Sequence, residues 1–319
     1  MSNNHPTHTC MLKRLFGIKR LLASGLALSL AAVPSLSRAQ ATWVGDSSQD
    51  WNTAANWSSD PANPTGNFFI NTATAGVFPI LSGASAFAPV DIIIGDAANV
   101  GRLDQTAGSL ATGAGNWLLI GVNGGTGTYN LNGGTLSAGA IRLVRSGAGT
   151  TTGTLNIGGT ANSAGVTVVS DSQNIGTTGI GVLNVLNGGT LNTENDLLIA
   201  FAGGASASGE VNIAAGGTVN VATTTERWLI VSQWDTLQGR LNINGGTVNL
   251  NANTDIRFSI GNNSGANEIN LNSGAITSWS GNQSGTTTTG VLDLNWASGG
   301  ANNTFNLNGG TLTIYEVLT

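Results

Sequence analysis

Leu241-Asn242-Ile243-Asn244-Gly245-Gly246-Thr247-Val248-Asn249-Leu250 is the stretch that decides the fold. Read at period two, Leu241 and Ile243 point to one side of a strand and Asn242 to the other, which is the pattern of a strand with one buried face. Gly245-Gly246 supplies a corner, because glycine reaches positive φ without steric cost. After the corner Val248 and Leu250 point inward again.

The phrase returns along the chain. It reads Tyr129-Asn130-Leu131-Asn132-Gly133-Gly134-Thr135-Leu136 and Leu155-Asn156-Ile157-Gly158-Gly159-Thr160. Further copies are centred on Asn184, Asn212, Asn270 and Asn306, and Leu103-Asp104-Gln105-Thr106-Ala107-Gly108 is a degenerate first copy. Corner glycines at 108, 134, 159, 189, 217, 246, 274 and 310 are spaced by 26, 25, 30, 28, 29, 28 and 36 residues. Recurrence on that scale signals a repeat architecture.

Each repeat carries a second apolar run before the next Asn-bearing strand. Examples are Asp91-Ile92-Ile93-Ile94-Gly95, Asn116-Trp117-Leu118-Leu119-Ile120-Gly121, Ile141-Arg142-Leu143-Val144, Val166-Thr167-Val168-Val169 and Asp196-Leu197-Leu198-Ile199. One unit is then strand, glycine corner, strand, turn, strand, loop. No 3.6-residue periodicity survives past the first 40 residues. A unit of three short strands cannot bury its own apolar side, but stacked units can. The expected fold is an all-β parallel β-helix of about eight coils rising about 4.8 Å each, right-handed by the preference of parallel crossovers. Asn130, Asn156, Asn184, Asn212, Asn242, Asn270 and Asn306 then stack on the side away from the core, where amides can hydrogen-bond along the column. That predicts a structural ladder; the alternative is a polar binding stripe.

Residues 1–40 read as a secretory signal peptide. Lys13, Arg14, Lys19 and Arg20 form a basic start, residues 21–33 an apolar segment too short for a membrane span, and Ser37-Arg38-Ala39 or Ala39-Gln40-Ala41 a cleavage site. Met11 is an alternative start. Both His, both Lys, both Met and the single Cys lie in this leader. Residues 41–319 keep six Arg against all 16 acids. A thiol nucleophile, a His base, a Lys Schiff base and a Cys/His zinc site are therefore excluded from that part. So is a phosphate-binding lysine surface, and no nucleic-acid partner is expected.

Residues 41–90 hold Trp43, Trp51, Trp57, Pro61, Pro64, Pro79 and Pro89 without the phrase, and read as a cap over the open end of residues 91–319. Sugar stacking on those tryptophans is the alternative. At the other end Leu312, Ile314 and Val317 alternate with nothing to blunt them. That predicts truncation there or self-association through the C-terminal edge.

The phrase Leu-Asn-Leu-Asn-Gly-Gly-Thr-Leu behind a Trp-rich opening and a signal peptide resembles the autotransporter-associated β-strand repeat proteins over residues 42–319. These are exported bacterial proteins with passenger-like β-helices. The resemblance implies a secreted, outer-membrane-associated or cell-surface structural or adhesive protein, with surface glycans or other cell-surface proteins as partners and no catalytic centre. Polysaccharide binding or degradation is the alternative. The acids are scattered, and no His is available for a polygalacturonase-like centre. Trp234 and Trp279 border Gly/Ser/Asn loops and are candidate glycan contacts, while Trp228 reads as packed. No cofactor is expected, except that calcium would fit a carboxylate column if Asp196, Glu226 and Asp255 open the same strand in successive coils.

A fluorophosphonate probe for activated serines should leave residues 41–319 unlabelled, because no His or Lys is there to act as base. Labelling that competes with a serine-hydrolase inhibitor would contradict this.

Overall fold

In the computed structural model the repeats wind into a parallel β-solenoid. The structure describes residues 40–318 except 60, 62–65, 75, 147–149, 160–165, 177, 201–206, 222–227, 233–237, 251–254, 259–265, 279–290, 294–301 and 314–315. The leader therefore lies outside the described residues.

Each coil has three faces. The first carries the Asn phrase in strands Val100–Gln105, Thr126–Leu131, Thr152–Ile157, Ile180–Val185 and Ser208–Ala214, then in the opening of Gln238–Leu250 and Ala266–Ser278, and in Asn302–Leu307. Each pairs in parallel with its copy one coil on, and the seven Asn positions fall in one register column with Asp104 beneath them. The second face follows the glycine corner. The third face stacks Phe68–Ile70, Ile92–Asp96, Trp117–Val122, residues 140–143, residues 173–175, Leu197–Ile199, Trp228–Val231 and Asp255–Phe258.

The solenoid makes about six turns, a slight correction to the eight expected from counting phrases. All eight phrase strands stack, and strands of three residues occur both within the stack, at Leu197–Ile199, and towards its ends, at Val291–Asp293, Thr311–Thr313 and Glu316–Leu318. One strand assignment also changes. Residues 166–169 were expected on the face of the second apolar run, but they pair with residues 189–192 on the second face. The third-face strand of that coil is Gln173-Asn174-Ile175, which pairs with Leu197–Ile199. Gln and Asn in place of an aliphatic run left no hydrophobic signal there.

The core is a column of aliphatic residues. Leu103, Tyr129, Leu155, Leu183, Val211, Leu241 and Ile269 stack inward on the first face and are essentially fully buried. The third-face runs Ile92-Ile93-Ile94, Leu118-Leu119-Ile120, Leu197-Leu198-Ile199 and Leu229-Ile230-Val231 are buried on both sides of the strand. That accounts for their being continuous rather than alternating in sequence.

The corners explain the paired glycines. Gly188 has φ of 77°, and a Cβ on Gly189 would lie 2.3 Å from the Ile157 carbonyl oxygen of the coil below. One glycine thus supplies the left-handed turn and the other the close approach between coils. A further glycine column, 101, 127, 153, 181, 209 and 239, lies three residues before each Asn slot. A Cβ on Gly127 would be 2.2 Å from the Ile94 carbonyl oxygen, so this column lets the end of the third face pass against the start of the first.

Residues 41–90 are wound into the stack as well as closing it. Ala41–Thr42 pairs with Phe68–Phe69, Phe68–Ile70 with Ile92–Ile94, and Ile80–Leu81 with Asp104–Gln105. Trp43, Trp51 and Trp57 are 4%, 0% and 5% exposed, so their faces are not open to a sugar. Trp51 and Trp57 meet edge to face at 4.9 Å between ring centroids, and Trp57 packs on Phe68 at 4.6 Å. Such aromatic pairs add to area burial. The Trp57 indole N–H donates to the Trp51 carbonyl at 3.0 Å, which satisfies the buried donor.

Tyr129 breaks the aliphatic column. Its hydroxyl donates to Gln105 Oε1, and Gln105 Nε2 donates to the carbonyls of Gly108 and Thr135, both at 3.1 Å. Burial pushes the phenol well above its ordinary value. The folded chain therefore holds this proton more tightly than the unfolded chain. Its contribution to stability is intact below the unfolded tyrosine value of about 10 and is lost as pH rises beyond it. No Lys lies in residues 41–319 to titrate in that window. Denaturant midpoints should fall steeply above about pH 10, and Tyr129→Phe should remove most of that slope while costing about 1 kcal/mol at neutral pH by leaving Gln105 short of a partner. Equal alkaline slopes in the two proteins would contradict this assignment.

Candidate functional site

The outward side of the first face carries a continuous column of hydrogen-bonded amides. From Asn130 to Asn270 each Asn sits between two buried residues of its strand and points away from the core. The amides are joined in one chain. Asn156 donates to Asn130 and Asn184 to Asn156, both at 2.7 Å, and Asn212 donates to Asn184 at 2.9 Å. Asn242 donates to Asn212 at 2.8 Å, Asn270 to Asn242 at 2.9 Å and Asn306 to Asn270 at 2.7 Å.

Every bond runs from Nδ2 of one coil to Oδ1 of the coil before it, so the ladder has a direction. Its first member needs an acceptor that has no donor to place further down. Asp104 occupies that slot, accepting from Asn130 Nδ2 at 2.7 Å. Arg102 holds Asp104 through both carboxylate oxygens, at 2.9 and 2.6 Å, and lies 4.2 Å over the Phe78 ring. The hydrogen bond and charge of Asp104 raise the Arg102 guanidinium further. What looked like a degenerate copy in the sequence is thus the ladder's terminator.

Shorter ladders of the same polarity were missed in the sequence. Asn249 donates to Asn220 at 2.8 Å and Asn220 to Asn192 at 2.6 Å on the second face. Asn308 donates to Asn272 at 2.8 Å and Asn272 to Asn244 at 2.9 Å before the corner. The signals were present: Asn two residues past the Gly-Gly-Thr, and Asn just ahead of the corner glycines. A third short ladder also ends on a carboxylate, with Ser146 donating to Asn123 at 2.8 Å and Asn123 to Asp96 at 2.9 Å.

Next to the main ladder, two residues N-terminal, runs the column Arg102, Thr128, Thr154, Val182, Glu210, Arg240, Glu268 and Thr304. Its charges alternate where they adjoin. Arg240 Nε donates to Glu268 Oε2 at 3.0 Å, and Glu210 Oε1 accepts from Asn242 at 3.2 Å. A shallow groove there is lined by Gly181, Glu210, Gly239 and Arg240. Opposite charges one coil apart satisfy each other, so this column does not present a pair of carboxylates facing a common atom.

The carboxylate column expected for calcium does not form at its described positions. Asp196 and Asp255 are separated by Trp228, which pairs with Asp255 one coil on and whose backbone N–H donates to Asp196 Oδ1 at 3.0 Å. The strand of that coil opens with Trp228 in the slot, and Glu226 lies outside the described residues. No group of three metal-ligating side chains occurs among the described residues. Trp228 is 37% exposed, a correction to the packed reading, because Leu229 takes the inward position beside it. Trp234 and Trp279 lie outside the described residues. No described helix is long and apolar enough to cross a membrane. Compared with known proteins, the chain matches no family model, no curated protein and no solved structure.

The ladder's direction gives a sharp mutational test. Asn212→Asp keeps size and shape but removes the donor, setting a carboxylate against Asn184 Oδ1. It should destabilise by about 1–3 kcal/mol at neutral pH. The carboxyl's folded pKa is raised, so the loss should be recovered as pH falls through that value and a donor returns. A variant as stable as the parent at neutral pH would contradict a directed ladder.

Proposed function

We propose that this protein is an exported bacterial scaffold of the autotransporter-associated repeat type, secreted or displayed at the cell surface, with a structural or adhesive role and no catalytic centre. The observation that carries the reading is the first face. Its polar groups are tied to one another coil by coil and do not converge on a point where a substrate atom would sit. Catalysis needs a nucleophile or base within hydrogen-bond reach of an orienting group. Extended neutral amide and hydroxyl surface suits weak, repeated contact instead, where many sites act together. Surface glycans and other surface proteins are the partners this reading favours.

Polysaccharide binding without cleavage is the second reading. It is favoured by the Asn column, whose members each use one donor and one acceptor within the ladder and keep others for a ligand. One experiment separates these readings from an enzyme. The protein is incubated with a panel of neutral and acidic polysaccharides, and chain length, reducing ends and unsaturated products are followed with co-sedimentation. The scaffold reading predicts unchanged chain lengths, with or without retention on an insoluble glycan. New reducing ends or unsaturated sugars that copurify with the protein would overturn it.

A further inference from the structure

Four arginine side chains are described in residues 41–319. Two are neutralised: Arg102 by Asp104 at 2.6 Å and Arg240 by Glu268 at 3.0 Å. The other two stand together. Arg142 follows Leu119 in the outward column of the third face, and Arg145 comes three residues later at the corner. Their guanidinium carbons lie 4.7 and 4.0 Å from the centroid of one ring, that of Trp117. Among the described residues no carboxylate is within ion-pair distance of either. Arg142 Nε is buried with no hydrogen-bond partner. Burial, and then the charge of Arg145, push the Arg142 guanidinium down.

Two like charges drawn to one indole ring, with no carboxylate to pair them, are an incomplete arrangement. The ring attracts each cation, but it does not satisfy their N–H donors. Planar guanidinium forks match an oxyanion, each bond being charge-assisted. We propose that Arg142 and Arg145, set over Trp117, form a binding site for a single carboxylate on an otherwise uncharged ligand, with an acidic sugar as the fitting class.

The surroundings limit the charge of that ligand. Asp91 accepts the Trp117 backbone N–H at 2.8 Å, so a carboxylate already lies at the base of the site. Residues 41–319 carry six Arg against 16 acids. A polyanion or a dianionic phosphate would meet this field, and a monoanion meets least of it. Asn174 stacks directly above Arg142, and its Oδ1 is a second buried polar atom without a partner. The site goes beyond the scaffold reading and does not depend on it.

The test is a titration of 15N-labelled protein with glucuronate, glucose and inorganic phosphate at low ionic strength. The Trp117 indole and Arg145 Nε resonances are followed, with Trp117→Phe identifying the indole signal. Glucuronate should give saturable shifts of both resonances with a Kd of about 1–10 mM, and glucose none. Arg145 is exposed, so Arg145→Gln should fold normally; it should weaken glucuronate binding roughly tenfold with the rest of the spectrum unchanged. Absence of saturable shifts with glucuronate would overturn the proposal, as would binding that survives Arg145→Gln. So would phosphate binding tighter than glucuronate, because the site would then be reading charge alone.

Discussion

A primary amide presents donors on one atom and acceptors on the other. A column of asparagines at strand spacing can therefore bond to itself only if every member points the same way. The seven-member column on the first face obeys this, and it depends on parallel strands in register. Slipping any strand by one residue would turn its Asn into the core and its Leu or Ile out to water. The ladder and the aliphatic stack behind it therefore fix the same register from opposite sides of one strand. Neither needs charge, which fits a chain in which 8% of residues are charged.

A directed stack also has two unlike ends. At the N-terminal end the problem is an amide column that runs out of acceptors and a coil that runs out of partners. Asp104 with Arg102 answers the first, and the interlocked Trp43, Trp51, Trp57 and Phe68 answer the second. Further up, the inner glycine column gives way to Asn267 and Asn303, and the polarity reverses. Asn267 accepts the Gly239 N–H at 2.9 Å from below and so donates upward, to Asn303 at 3.0 Å. A buried amide must satisfy both ends, and here the backbone donor beneath decides which way it faces.

The winding was legible in the sequence because it is written in periodicity. Leu-Asn-Ile followed by Gly-Gly-Thr-Val states inside, outside and corner without reference to anything distant. The Asn column was legible for the same reason. Features carried by single substitutions in the pattern were not. Asp104 read as a worn copy, since only the direction of the amides makes a carboxylate necessary at that slot. Residues 173–175 gave no signal, because Gln173 and Asn174 hide a strand whose place is fixed by its neighbours in the stack. The acids Asp196 and Asp255 do share a column, but the register puts Trp228 between them, so the carboxylates are two coils apart. The grouping of Arg142, Arg145 and Trp117 spans two coils and has no periodic trace.

The account rests on neighbouring coils being parallel and in register on the first face, and engineered disulfides test that directly. Residues 41–319 contain no Cys, so a pair placed there has no competitor within the solenoid. Thr128 and Thr154 are register partners on the outward side. Adjacent parallel strands bring their Cα atoms to about 4.8 Å, within the 4.4–6.8 Å or so that a disulfide spans. The account predicts that Thr128→Cys with Thr154→Cys oxidises rapidly to an intramolecular bond in the folded protein. Thr126→Cys with Thr154→Cys, offset by two residues along the strand, should oxidise much more slowly. Equal rates for the two pairs, or faster closure of the offset pair, would contradict it.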